Sequence, residues 1–262
     1  MDIENKDASV ADGPQLFALP EHSRPVTVSP EQLDAQNIVG FRNSDTRARP
    51  FKLLRSQLLK MAEDDGIKLI GVTSAAPNVG KTFVASNLAA AMSRIADLNV
   101  FLLDLDLHRP AIAARFSMEE GAGVHDYLTG AEPELSAIAR RINDERLVVV
   151  PGFRRDVATG ELLTSARADD MFAALRALPS NAVVVIDMPP IFADDDAVII
   201  GQRVDGFVLV IEDGRTTRKQ VQETVRILSP TPFLGSVLNR FQNQLFTDEY
   251  GYGFSYGYGG YY

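Results

Sequence analysis

The sequence predicts an α/β fold in which a mostly parallel sheet is flanked by helices. Short apolar runs recur from residue 67 onward (KLIGVT, NVFLLD, LVVVPG, AVVVID, GFVLVIE and FLGSVLN), with helical stretches between them. These runs do not alternate with polar residues, which is the pattern of parallel strands covered on both faces. A Gly-Lys-Thr triplet stands where the first run gives way to the first following helix, and the second and third motif runs both end in aspartate.

The elements follow in order. Residues 1–50 are polar, carry Pro14, Pro20, Pro25 and Pro30, and lack a sustained hydrophobic period, so a flexible leader is expected there. Phe51, Leu54, Leu58 and Met61 then recur at helical spacing and predict an amphipathic helix, packed on the sheet or on another subunit. After KLIGVT comes a helix carrying Val84, Leu88, Met92 and Ile95, then the strand ending in Asp104. Helical stretches around Met171 to Leu178 and Thr217 to Leu228 separate the later strands. The main domain is therefore placed at 51–240. Beyond it, 241–262 is a Tyr/Gly tail with few aliphatic residues, holding six of the seven tyrosines: Tyr250, Tyr252, Tyr256, Tyr258, Tyr261 and Tyr262.

Composition narrows the chemistry. A formal charge of −9 disfavours a nucleic-acid partner, because binding a polyanion needs a basic surface. The chain has no cysteine and only three histidines, His22, His108 and His125, so thiol chemistry is excluded and a multi-histidine metal centre is not expected. Any metal should be a hard ion held by oxygen. No apolar run is long enough to cross a bilayer and no secretory leader is evident, so the expected location is the cytoplasm.

The segment AAPNVGKT, residues 75–82, has the form of a phosphate-binding loop between a strand and a helix. Pro77, Asn78, Val79, Gly80, Lys81, Thr82 and Phe83 are the candidate nucleotide-binding residues. Gly80 lets the backbone approach an anion at the positive end of the helix, Lys81 reaches the β- and γ-phosphates, and Thr82 offers a hydroxyl to Mg²⁺. On this reading Lys81 stands exposed at the phosphates. Asp104 and Asp106 end the second strand and Asp187 the third, all at the carboxyl edge where open α/β sheets bind ligands. Such acids can hold Mg²⁺, as expected of Asp104 and Asp187 with Thr82, or take a proton from an attacking hydroxyl. Lys81, Asp104, Asp106 and Asp187 are the candidate catalytic set, with ATP and Mg²⁺ the expected ligands. An isolated aspartate after a strand is as often a turn or cap residue, but three on one edge beside the loop favour chemistry.

SAAPNVGKT, VFLLDLDLHRP, VVVIDMPPIFADDDA and the tyrosine-rich end together resemble the bacterial tyrosine kinases of capsule and exopolysaccharide synthesis. This CpsD/CapB-like family lies on the same P-loop branch as the MinD/ParA ATPases. FKLLRSQL, GVHDYLTG, ELLTS and FLGSVLNR are lesser echoes. The resemblance implies an ATP-dependent tyrosine autokinase with Asp104 or Asp106 as base, Asn239 near the nucleotide base, and the six tail tyrosines as autophosphorylation sites. It also implies self-association and a transmembrane polysaccharide chain-length regulator as activating partner, which would recruit the protein to the inner face of the plasma membrane. The chain differs from the family pattern at Asn78 and Val79, at His108 where arginine is usual (Arg109 follows), and in the helix carrying Arg49, Lys52 and Arg55. A MinD/ParA-like ATPase switch and a nucleotide-binding scaffold are the alternative functions.

Overall fold

A computed structural model describes residues 17–155 and 158–241. Its strands are β1 (Arg24–Val26), β2 (Leu69–Ser74), β3 (Asn99–Asp104), β4 (Arg140–Ile142), β5 (Leu147–Val150), β6 (Ala182–Asp187), β7 (Gly206–Glu212) and β8 (Phe233–Asn239). Its helices are α1 (Pro30–Ala35), α2 (Arg49–Asp65), α3 (Lys81–Met92), α4 (Ile112–Arg115), α5 (Val124–Leu128), α6 (Leu135–Ile138), α7 (Thr159–Leu163), α8 (Ala166–Arg176), α9 (Asp196–Gly201) and α10 (Arg218–Leu228).

The strands form one sheet in the order β1-β4-β5-β3-β6-β2-β7-β8. Every neighbouring pair is parallel except β4 and β5, which are antiparallel. The mostly parallel α/β sheet expected from the apolar runs is therefore present. β2, β3 and β6 are buried at every position, as strands with helices on both faces must be. β8 differs: it is an edge strand, and Phe233 and Leu238 on it are exposed. Two apolar layers cover the sheet. One packs Phe101, Leu103, Val148 and Ile186 against α5 and α8; the other packs Ile70, Val72, Leu102 and Val185 against α2 and α3.

Register brings the acids together. Asp104 at the end of β3 pairs with Asp187 at the end of β6, and Asp187 is in turn level with Val72, two residues before the end of β2. Parallel pairing thus places the phosphate-loop candidate and two aspartates on one edge, as sequence order alone suggested.

The expectation of a flexible leader over 1–50 is corrected for residues 17–50. They supply edge strand β1, which pairs with β4, then helix α1 and the first two residues of α2. Ser29 and Gln32 form a reciprocal capping box around Pro30 at the start of α1, so the stretch SPEQ held a start signal for a helix too short to show a hydrophobic period. Phe17, Val28, Leu33, Ile38 and Val39 are buried, and their burial offsets the cost of ordering a polar, proline-rich segment. Residues 1–16 lie outside the described residues. The amphipathic helix is α2, and it packs on the domain itself: Phe51 meets Phe83 of α3 edge-on at 5.6 Å, and Arg55 Nη1 donates to the Ala91 carbonyl at 3.0 Å.

Candidate nucleotide-binding site

β2 ends at Ser74, and residues 75–80 turn the chain into α3, whose first residues are Lys81 and Thr82. The turn needs left-handed backbone at two places, Asn78 with φ 63° and Gly80 with φ 102°. Asparagine tolerates that region, and glycine enters it without steric cost. A side chain at Gly80 would also collide with Asn239, because an added Cβ would stand 2.2 Å from Asn239 Nδ2. Asn239 in turn donates through Nδ2 to the Val79 carbonyl at 2.8 Å, tying the end of β8 to the loop. Val79 points its side chain into the core, so its backbone alone is available to a ligand.

A cleft of about 350 Å³ lies over this turn, lined by Pro77, Asn78, Gly80, Lys81, Thr82 and Phe83 from the loop and α3. Asp106, Arg109, Arg115, Pro190 and Arg240 complete its charged and proline walls. A smaller cleft of about 260 Å³ adjoins it, sharing Pro77, Asp106, Arg109 and Pro190 and adding His108 and Asp194.

Beneath the first cleft is a buried ion cluster. Lys81 Nζ lies 2.7 Å from Asp106 Oδ2 and 3.3 Å from Asp187 Oδ1. The Thr82 hydroxyl donates to Asp187 Oδ2 at 2.6 Å. Lys81 is only 7% exposed, which corrects the expectation of an exposed lysine: the ammonium is packed between the carboxylates at the end of β6 and on the β3 loop, which supply its counter-charge. Burial alone would lower its pKa, but the charges of Asp187 and Asp106 overcome that and push it up to about 12.

The acids are not equivalent. Asp104 is wholly buried; its Oδ2 accepts hydrogen bonds from the Ala111 and Ile112 amides at 2.8 and 2.9 Å, while Oδ1 has no partner among the described residues. Desolvation, reinforced by the charge of Asp187, pushes the Asp104 carboxyl well above the usual range. Burial also raises Asp187, against the pull of Lys81 and Thr82. Asp106 has one oxygen on Lys81 and its Oδ1 on the Arg109 amide, and of the three it is the one that lines the cleft. Among the described residues no set of three or more His, Asp or Glu side chains is placed to hold a metal ion. Of the three residues expected to hold Mg²⁺, Thr82 and Asp187 are bonded to each other, whereas Asp104 spends its Oδ2 on the Ala111 and Ile112 amides. The donor set fits MgATP: a glycine turn that excludes side chains, a helix end with open amides, a lysine beside a Thr–Asp pair, and an orphaned buried carboxylate oxygen.

His108 holds the neighbouring loops together. Its Nε2 is 2.8 Å from Thr159 Oγ1, 3.2 Å from Asp194 and 3.4 Å from the buried Asp196. Sequence reading missed Arg115 and Asn87 entirely, since neither stands in a recognisable motif. The six tail tyrosines lie outside the described residues.

Residues 70–250 match the family described as the CobQ/CobB/MinD/ParA nucleotide binding domain. Among individual proteins, the chain is 33% identical over 199 residues to tyrosine-protein kinase CpsD of Streptococcus pneumoniae, covering 74% of this chain and 85% of that protein. It is 29% identical over 204 residues to tyrosine-protein kinase YwqD of Bacillus subtilis (strain 168), covering 77% and 84% respectively. The kinase domain of Escherichia coli tyrosine kinase ETK superposes with a TM-score of 0.72 at 26% identity, over 94% of this chain and all of that one.

Proposed function

The chain belongs to the bacterial tyrosine kinases within the CobQ/CobB/MinD/ParA nucleotide-binding family, and from that premise we propose that it is an ATP-dependent protein-tyrosine autokinase. The carrying observation is the cluster in which Lys81 stands between Asp106 and Asp187 with Thr82 bonded to Asp187. A base, a phosphate-binding cation and a hydroxyl–carboxylate pair share one cleft.

In this reading the residue 75–80 turn and the first amides of α3 cradle the phosphates, and Lys81 leaves its carboxylates for the β- and γ-phosphate oxygens. Thr82 and Asp187 would hold Mg²⁺. The ion, when bound, neutralises charge on the phosphates and orients them for in-line displacement. Asp106, freed of Lys81, accepts the proton of a tyrosine hydroxyl in the adjoining cleft. The phenolic oxygen forms its bond to the γ-phosphorus as the bond to the β-phosphate bridging oxygen breaks, leaving ADP. Asp104 keeps the β3 loop in place through its two amide bonds. Asn239 shapes the loop from beneath.

The acceptors are the tail tyrosines Tyr250, Tyr252, Tyr256, Tyr258, Tyr261 and Tyr262, presented to a neighbouring subunit. The wider role is regulation of exopolysaccharide or capsule export, with the cytoplasmic segment of a transmembrane chain-length regulator as activator and as the means of recruitment to the inner membrane face. Among the described residues no helix is long and apolar enough to cross a membrane, so in this reading recruitment falls to that partner. Incubating the protein with MgATP, with and without such a segment, and mapping phosphotyrosine by mass spectrometry tests the reading. Phosphate on the tail in wild type and none in Lys81→Met is expected; ADP production with no phosphotyrosine under any condition would replace the kinase by an ATPase switch.

A further inference from the structure

The nucleotide cleft contains a half-buried arginine that no motif supplies. Arg115 closes α4 and lines the cleft together with Lys81 and Thr82. Its guanidinium lies over the Phe83 ring, 5.6 Å from the centroid, and its Nη1 donates to the Gln36 carbonyl at 2.9 Å. Nε and Nη2 make no hydrogen bond among the described residues, and neither is sealed from solvent. Donors held in place beside an anion cleft, with one anchor used and the rest free, are what a phosphate fork requires.

The anchor is itself rigid. Asn87, buried in α3, accepts from the Val39 and Gly40 amides through Oδ1 at 2.7 and 3.0 Å and donates through Nδ2 to the Asn37 and Phe83 carbonyls, both at 3.0 Å. Gly40 lies so close to α3 that an added Cβ would stand 2.3 Å from the Asn87 carbonyl oxygen. Residues 36–40 are thereby clamped to the same helix that begins with Lys81, and Arg115 is clamped to residue 36.

Charge gives the arginine a task. Lys81 is matched by two carboxylates, and Arg240 is tied to Glu212 at 2.9 Å. Burial lowers the Arg115 pKa, with Asp187 pulling it back up, so the guanidinium is partly desolvated and has no direct counter-ion among the described residues. Of the remaining cleft cations, Arg109 is exposed on its loop, whereas Arg115 is held by both a ring and a carbonyl.

We propose that Arg115 is a phosphate-binding residue of the nucleotide site, held ready in cis by the 36–40 segment on the Phe83 side of the cleft. The inference rests on the nucleotide reading above and adds a residue to it. The N-terminal segment thereby becomes part of the site: it positions a phosphate ligand as well as covering apolar surface.

Titration calorimetry of the full chain with MgADP and MgATP tests it, beside thermal melting without nucleotide. Arg115→Met keeps an apolar stem against Phe83 and should weaken binding about tenfold or more, with a shallower salt dependence, while the ligand-free protein still melts cooperatively. Arg115→Lys keeps the charge without the fork and should fall between. Loss confined to MgATP would assign the contact to the γ-phosphate; equal loss with MgADP would assign it to phosphates common to both. Wild-type affinity in both variants, with Lys81→Met losing binding, would reduce Arg115 to a strap for residue 36 and overturn the proposal. Wild-type affinity in Lys81→Met as well would instead overturn the nucleotide site. Should Arg115→Met fail to fold, Arg115→Lys decides alone: unchanged affinity and salt dependence contradict the proposal.

Discussion

Thr82 donates its hydroxyl hydrogen to Asp187 across 2.6 Å, joining the first turn of α3 to the end of β6 under the cleft. The pair forms because strand order places β6 beside β2, the strand from which α3 departs. A hydroxyl and a carboxylate at this separation are ready to accommodate an oxygen-seeking divalent ion. Thr82→Ala and Asp187→Asn should each weaken magnesium-dependent ATP binding by about tenfold or more and leave metal-free binding little changed. Nucleotide titrations with Mg²⁺ and with EDTA check this.

Lys81→Met should abolish phosphoryl transfer, and it should also destabilise the ligand-free protein. Removing the ammonium leaves Asp106 and Asp187 buried together without a counter-charge, and breaking a buried pair costs about 3–5 kcal/mol when the remaining charge cannot escape. Protonation of Asp187, whose pKa burial already raises, relieves part of that cost. The loss in thermal stability should therefore be larger at pH 8 than at pH 5, as read from melting curves at the two values.

Asp104→Asn should stabilise the ligand-free chain while lowering phosphoryl transfer. Asparagine keeps an oxygen for the Ala111 and Ile112 amides and removes a charge whose other oxygen is buried and unpartnered. Burial raises the Asp104 pKa in the folded chain, so folding holds the proton more firmly than the unfolded chain does. That contribution is complete below the ordinary carboxylate pKa and is lost as pH rises through the raised folded value. At neutral pH the variant should be the more stable, and the gain should shrink as pH falls toward the ordinary carboxylate range. Denaturant titrations over that pH range provide the check.

Much of this was legible in the sequence, for a physical reason. β2, β3 and β6 are covered on both faces, so they read as unbroken apolar runs, and the aspartates that end two of them stand out as charged residues closing apolar runs. The glycine turn was legible because left-handed backbone restricts which residues occupy positions 78 and 80. The 17–48 segment was not legible: a three-residue strand containing proline and a six-residue helix are shorter than the windows in which periodicity is expressed. Asn87 hid as a polar residue inside a helix, because three of its four partners, at residues 37, 39 and 40, lie far away in sequence where no local pattern records them. The burial of Lys81 depends on carboxylates from the end of β6 and from the loop after β3, which only the register brings together.

The tail adds a separable expectation. Six tyrosines interspersed with glycines offer equivalent hydroxyls, so single Tyr→Phe changes should barely alter total phosphate, and replacing Tyr250, Tyr252, Tyr256, Tyr258, Tyr261 and Tyr262 together should remove most of it. Each phosphate adds about −1.5 to −2 charges at neutral pH, and several in one tail of an acidic protein should favour smaller assemblies. Phosphate counting by mass spectrometry and sedimentation of both forms check the two halves.

The central claim, that the cleft transfers phosphate to tyrosine, is met most directly by measuring phosphotyrosine formed per ADP released in a single turnover of MgATP with the activating segment present. A ratio near one for wild type, falling toward zero in the six-fold Phe variant, is the expected result. A ratio near zero for wild type, with ADP still released at the same rate, would contradict it.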